Sequence, residues 1–158
     1  MPDLRILYIE RNLAQDSIVF DQIGRMSRLI DPHAVAVQVG SFPHFHHPDV
    51  TSVRCPFIPK IEAAKGKSFC RSAVQAVRKL IKSGHDYDLI HANFAYPEGL
   101  AACRAAEATG RPYVITGRGD DILLYPDDNA YLKRAVEEAV SRCAGFIGVS
   151  QHLCDAAC

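Results

Sequence analysis

Residues 88–122 read DLIHANFAYPEGLAACRAAEATGRPYVITGRGDDI, and this stretch decides the fold. Two short apolar runs, 88–92 and 112–116, are each bounded by polar or turn-forming residues, as strands buried on both faces are. Between them, residues 98–109 have the composition of a helix, with Pro97 suited to its first turn. A strand, a helix and a second strand in this span make a βαβ unit, whose strands run parallel.

The alternation continues in both directions. Downstream, Leu132, Ala135, Val136, Ala139, Val140 and Cys143 fall on one face of a helix over 130–143, with Lys133, Arg134, Glu137, Glu138 and Arg142 opposite. Strand 145–149 follows, and Ser150 is placed to cap a further helix. Upstream, 4–9 reads as the first strand. Val19, Ile23, Met26 and Ile30 then recur at helical spacing behind a cap at Asp16 or Ser17, and 34–39 (AVAVQV) forms the next strand. From Gly40 to Pro59 there are five prolines or glycines, so regular structure is expected only near 53–57. Phe69, Ala73, Ala76, Val77, Leu80 and Ile81 draw the stripe of another helix, ended by Gly84. The expectation is a single α/β domain over 1–158: a three-layer, Rossmann-like fold with a mainly parallel sheet of about six strands and helices on both faces. Right-handed crossovers place the first strand beside the fourth, opening a crevice at their carboxyl ends.

Composition narrows the function. The 18 basic and 18 acidic residues cancel, which gives no support to a nucleic-acid partner. No apolar run approaches the length of a spanning helix, and the start of the chain does not read as a secretion signal. The expected location is the cytoplasm, with peripheral contact at the inner face of a membrane compatible with it. Cys55, Cys70, Cys103, Cys143, Cys154 and Cys158 are expected as reduced thiols, and the Cys154/Cys158 spacing is a weak metal signal. His44, His46 and His47 lie in a proline-bounded loop without partnered carboxylates or cysteines nearby, so a partly solvated acceptor loop is expected there rather than a metal site. No phosphate-binding glycine loop, nucleophile elbow or HExxH occurs, and the RGD at 118–120 is read as part of a loop rather than an adhesion signal.

Polar residues just past the strand ends can reach the crevice, and three groups qualify. Glu10, Arg11 and Asn12 follow the first strand, where a dinucleotide site would need glycines that are not there. His91, Asn93, Tyr96 and Glu98 follow the next: Asn93 and Tyr96 offer donors and acceptors for a polyol, while His91 serves equally well as a core histidine. Arg118, Gly119, Asp120 and Asp121 close the set. The two glycines flanking Arg118 let the loop turn and present the guanidinium to a phosphate; alternatively Asp120 or Asp121 caps the loop amides.

The ordered set DLIHANFAYPEGLAA, GRPYVITGRGDDILLYP and LKRAVEEAVSRCAGFIGVSQHL resembles the N-terminal domain of GT-B glycosyltransferases of family 4. The resemblance implies the acceptor-binding half of a retaining enzyme that moves a sugar from a nucleotide-sugar co-substrate to a glycan, lipid or small-molecule acceptor, with no tightly bound cofactor and no metal. Its motifs match at His91, Asn93 and the loop Arg118 to Asp121, which implies catalytic roles for Arg118 and Asp121; with the residues placed at strand ends, the expected substrate contacts are Glu10, Arg11, Asn12, His91, Asn93, Tyr96, Glu98, Gly119, Asp120 and Ser150. Arg118 stands where many members carry histidine; a guanidinium donates hydrogen bonds and charge but does not shuttle protons. The loop after the first strand lacks the glycine pair common in the family. The donor-binding C-terminal domain is expected in cis or as a separate subunit, and this half alone is expected to be inactive. The alternative is a free-standing Rossmann-like module that binds a sugar or phosphate in the same crevice, or a non-catalytic subunit.

Overall fold

Each apolar run becomes a strand of one parallel sheet. In the computed structural model, which describes residues 4–56 and 61–157, the strands are β1 (Arg5–Arg11), β2 (Asp31–Val39), β3 (Val50–Cys55), β4 (Leu89–Ala92), β5 (Tyr113–Gly117) and β6 (Gly145–Gly148). Their order is β3-β2-β1-β4-β5-β6, so the topological switch falls between β1 and β4, where Tyr8 pairs with His91 and Ile9 with Ala92.

Alternation along the strands sends side chains to two cores. Leu7, Ile9, Val35, Val37, Ile90, Ala92, Tyr113 and Ile115 meet α2 (Glu62–Lys82), α3 (Leu100–Thr109) and α6 (Ala130–Ser141). Ile6, Tyr8, Ala34 and Ala36 face the opposite way, onto α1 (Ile18–Met26). Two short helices, α4 (Asp120–Leu123) and α5 (Tyr125–Asp128), follow β5, and α7 (Gln151–Ala157) follows β6. Capping fixes where the helices start. Ser17, the second of the two cap candidates, accepts from Phe20 N, and Asn129 Oδ1 accepts from the amides of Tyr131 and Leu132 at the start of α6. On the outside, Arg104 of α3 makes a bidentate pair of 2.7 Å with Glu138 of α6, clamping the two helices.

Several boundaries differ from the sequence reading. β1 runs on through Glu10 and Arg11, which therefore end the strand rather than follow it, and β2 begins at Asp31 rather than at 34. α2 begins at Glu62, well before Phe69. Its first turns carry no apolar stripe because Gly66 sits where the hydroxyls of Tyr131 and Tyr96 come so close that a Cβ would collide with them. α3 begins at Leu100; Pro97 belongs to the preceding turn Ala95–Gly99, in which Tyr96 is extended and the Tyr96–Pro97 bond is cis. β3 covers Val50–Cys55 rather than 53–57, and Phe57 lies outside the described residues. Ile30 lies beyond α1, buried at the entry to β2. Cys158 also lies outside the described residues.

Candidate functional site

The carboxyl ends of β1, β4 and β5 converge at the switch point, and residue parity divides their polar side chains between the two faces of the sheet. On the α1 face, Asn93 is fully buried and holds two charged neighbours. Its amide donates to Glu10 Oε1 at 2.6 Å, and its carbonyl oxygen accepts from Arg118 Nη2 at 2.7 Å. The same Arg118 nitrogen donates to Gln22 Oε1 of α1 at 2.7 Å, and the guanidinium lies 5.8 Å over the Phe94 ring. Arg118 Nε is buried without a partner among the described residues. A cavity of about 280 Å³ opens beside this cluster, lined by Glu10, Arg11, Asn12, Ile18, Phe94 and Arg118.

Burial pushes the Glu10 carboxyl well above its usual range, opposed by the Asn93 hydrogen bond and assisted by the charge of Glu98, while Arg118 pulls it back. Burial likewise drives His91 down, to about 4, with a further push from Arg118. His91 sits within β4, hydrogen-bonded through Nε2 to Thr116 Oγ1 at 2.8 Å and tilted on Tyr8 with ring centroids 5.0 Å apart. It is a neutral core histidine and lines neither cavity of the site.

The loop residues divide their work. Asp121 is 1% exposed and accepts from three backbone amides: Arg118 and Gly119 on Oδ1, each at 3.0 Å, and Ala95 on Oδ2 at 2.7 Å. It therefore ties the β5 loop to the β4 loop, the amide-capping alternative of the sequence reading, and leaves Asp120 exposed. Gly119, at φ 142°, supplies the backbone conformation that the loop needs. Asn12 (φ 51°) secures the first loop, its Oδ1 accepting from Val39 N at 2.7 Å. Ser150 is exposed at the end of β6, caps α7 through Leu153 N at 3.4 Å and lines neither cavity.

On the α2 face the arrangement is different. A cavity of about 330 Å³ is lined by Arg11, Glu62, Phe69, Tyr96, Tyr125 and Leu132, among others. Tyr96 donates to Glu62 Oε1 at 3.0 Å and packs edge-on to Tyr125 and Tyr131 at 6.4 and 6.1 Å. Burial raises its phenol pKa, with help from Tyr131 and Glu62, so the hydroxyl stays a proton donor. Glu98, also 1% exposed, reaches Arg11 Nε at 3.6 Å, and its Oε2 has no partner among the described residues; burial raises its carboxyl pKa, and Arg11 opposes the shift. Arg11 lines both cavities and is the link between the two faces.

The sequence reading missed Gln22, Glu62 and Tyr125. The glycine at 66 within a helical segment was the available signal for the tyrosine cluster. The histidine loop has a packing role: His47 joins Phe20 and Phe45, with centroids 5.2 and 6.3 Å away. Among the described residues, Cys103, Glu107 and Glu138 lie close enough together to share a metal, but Arg104 and Arg142 pair with both carboxylates.

A family model described as Glycosyltransferase Family 4 matches residues 19–158. Over 84 residues the chain is 38% identical to the "Putative teichuronic acid biosynthesis glycosyltransferase TuaC" of Bacillus subtilis (strain 168), a match covering 52% of this chain and 22% of that protein. Among solved structures, UDP-GlcNAc 2-epimerase from Methanocaldococcus jannaschii superposes with a TM-score of 0.64 at 11% identity, covering 98% of this chain and 42% of the other. Arabidopsis thaliana UGT89C1 complexed with UDP gives 0.58 at 10% identity, over 94% and 42%. At such identities the likeness is one of fold. The chain spans less than half the length of each of these proteins.

Proposed function

The chain belongs to glycosyltransferase family 4, and from that premise we propose that it forms the acceptor side of an enzyme that transfers a sugar from a nucleotide-sugar with retention of configuration and without a bound metal. The observation that carries the proposal is the anchored guanidinium of Arg118. It projects from the end of β5 beside the switch-point crevice, is held through Nη2 by Asn93 and Gln22, and lines the 280 Å³ cavity there. A guanidinium positioned beforehand can stabilise charge that develops on the transferring sugar or its leaving phosphate without reorganising during reaction. Arg118 is accordingly the catalytic residue, while Asn93, Gln22 and Asp121 position it. The 330 Å³ cavity with Tyr96, Glu62 and Arg11 is the acceptor pocket: tyrosine faces suit a sugar ring or another largely apolar body, and the hydroxyl and charged groups suit its polar edge. The donor is assigned to a second domain or subunit.

The test is sugar transfer by an enzyme containing this chain. Arg118→Ala should lower kcat by about a hundredfold, the usual loss for one oxyanion-type donor, and cost about 1 to 3 kcal/mol of stability because the buried Asn93 carbonyl loses its donor, so turnover is compared at a temperature where circular dichroism shows the variant folded. Unchanged turnover would remove Arg118 from the site.

A further inference from the structure

The edge of the sheet away from the crevice holds a second group of chemistry-bearing residues. β1 is seven residues long, so the amino-terminal edge lies roughly 20 Å from the carboxyl ends. There His33, near the start of β2, and His85, in the turn after α2, lie side by side with ring centroids 5.8 Å apart and planes at 44°. With Asp31, Asp49, Asp86 and Tyr87 they line a cavity of about 260 Å³. Each ring is held through one nitrogen by a hydroxyl: His33 Nε2 bonds Thr51 Oγ1 at 2.9 Å, and His85 Nδ1 bonds Ser83 Oγ at 3.2 Å. Ser83 donates its own proton to Leu80 O at 2.8 Å, so toward His85 its oxygen accepts. The His85 proton is therefore on Nδ1, and Nε2 carries a lone pair. Neither that nitrogen nor His33 Nδ1 has a hydrogen-bond partner among the described residues. Arg5 is taken by Asp88, and Asp86 by Arg111. Asp31 and Asp49 pair with no lysine or arginine among the described residues. Tyr87 is 4% exposed, and its hydroxyl also has no partner among them.

We propose that His33 and His85 together bind one divalent transition-metal ion of the zinc type, with water in its remaining positions and Asp31 and Asp49 supplying neutralising charge. Two imidazoles on one tetrahedral ion, at a metal–nitrogen distance of about 2.0–2.1 Å, have centroids roughly 5 to 6 Å apart, which the observed separation meets. Packing alone would account for two rings in contact. The hydroxyl on the second nitrogen of each ring is what metal-binding histidines also carry, because it fixes the tautomer and the direction of the lone pair. Imidazole ligands select zinc, copper or nickel over magnesium and calcium. A water on the ion gives the Tyr87 hydroxyl, which lines the same cavity, the partner it lacks. The ion ties the turn between α2 and β4 to the start of β2. At the far edge of the sheet it takes no part in sugar transfer, and the proposal stands independently of that reading.

The test is calorimetric titration of the 158-residue chain with zinc chloride. His85→Ala and His33→Gln should each lose one equivalent of zinc relative to the parent chain, and Ser83→Ala should bind that equivalent about tenfold more weakly. His44→Ala combined with His46→Ala should bind as the parent does, and magnesium chloride should give no corresponding heat. Zinc at about a hundredfold excess over its dissociation constant should raise the melting temperature of the parent above that of His85→Ala by about 5 to 10 °C. Unchanged stoichiometry in His85→Ala would overturn the proposal, as would equal binding of magnesium or loss of the equivalent when His44 and His46 are replaced. His85 is exposed, so its variant decides the matter even if His33→Gln fails to fold.

Discussion

The two faces of the sheet's carboxyl edge hold similar numbers of polar side chains and use them in opposite ways. On the α1 face, Glu10, Asn93, Arg118 and Gln22 satisfy one another in a chain of short hydrogen bonds, and Asp121 below them is consumed by backbone amides. On the α2 face, Tyr96, Tyr125, Glu62 and Arg11 surround open space. Position at a strand end therefore does not by itself make a residue available to a ligand. One face is a rigid wall that presents a single guanidinium, and the other is a pocket. The first arrangement is expected of a group that meets developing charge, the second of a surface that accommodates a substrate.

The largest effect that would break this comparison is on Asp121. Asp121→Ala leaves three loop amides without their acceptor and should cost about 3 to 5 kcal/mol, a loss per unmet buried group of roughly 1–3 kcal/mol not being fully additive; thermal unfolding reads it. A loss below about 1 kcal/mol would mean that the loop is held by something else. Next, Asn93→Ala strands Glu10 and Arg118 together and should cost about 2 to 3 kcal/mol, whereas Tyr125→Phe across the sheet should cost under about 0.5 kcal/mol.

The pocket face is sharpened by Gly66→Ala, which drives a methyl into the hydroxyls of Tyr131 and Tyr96. The expected cost is about 1 to 3 kcal/mol from overpacking, with Tyr96 displaced into the cavity, visible as a changed aromatic spectrum.

Smaller still is a pH effect of Glu10. A carboxyl whose pKa is higher when folded than its ordinary 4.5 contributes stability below that value and loses it as pH rises through the folded pKa. Glu10→Gln keeps an acceptor for Asn93 and removes the buried charge. It should therefore stabilise by about 1 kcal/mol at neutral pH and by nothing near pH 4, as denaturant titrations at the two pH values would show. His91 works in the other direction, since between its ordinary 6.5 and about 4 only the unfolded chain binds its proton and acidification destabilises. The variant should then be the more acid-sensitive protein. A gain that is equal at both pH values would contradict the buried-charge account.

The fold was legible because its cues are periodic. The apolar runs at 4–9, 88–92, 112–116 and 145–149 and the stripe of α6 mark an alternating α/β chain, and right-handed crossovers in the usual doubly wound order then place β1 beside β4. The division between faces was not legible. Asn93 and Tyr96 are three residues apart and look like one cluster in the sequence, but the turn Ala95–Gly99 sends Asn93 to α1 and Tyr96 to α2. The role of Gln22 was hidden for a related reason, because it comes from a helix 96 positions away from the arginine that it holds. The early start of α2 was masked by Gly66, whose purpose is visible only once two tyrosines from distant segments pack against it.

The assignment of this domain to the acceptor side of a glycosyltransferase is tested most directly by calorimetric titration of the chain with a panel of nucleotide-sugars. The account predicts no saturable heat, because the donor's nucleotide is held elsewhere. Saturable binding of a nucleotide-sugar that is lost in Arg118→Ala would contradict it and turn the α1-face cavity into the donor site.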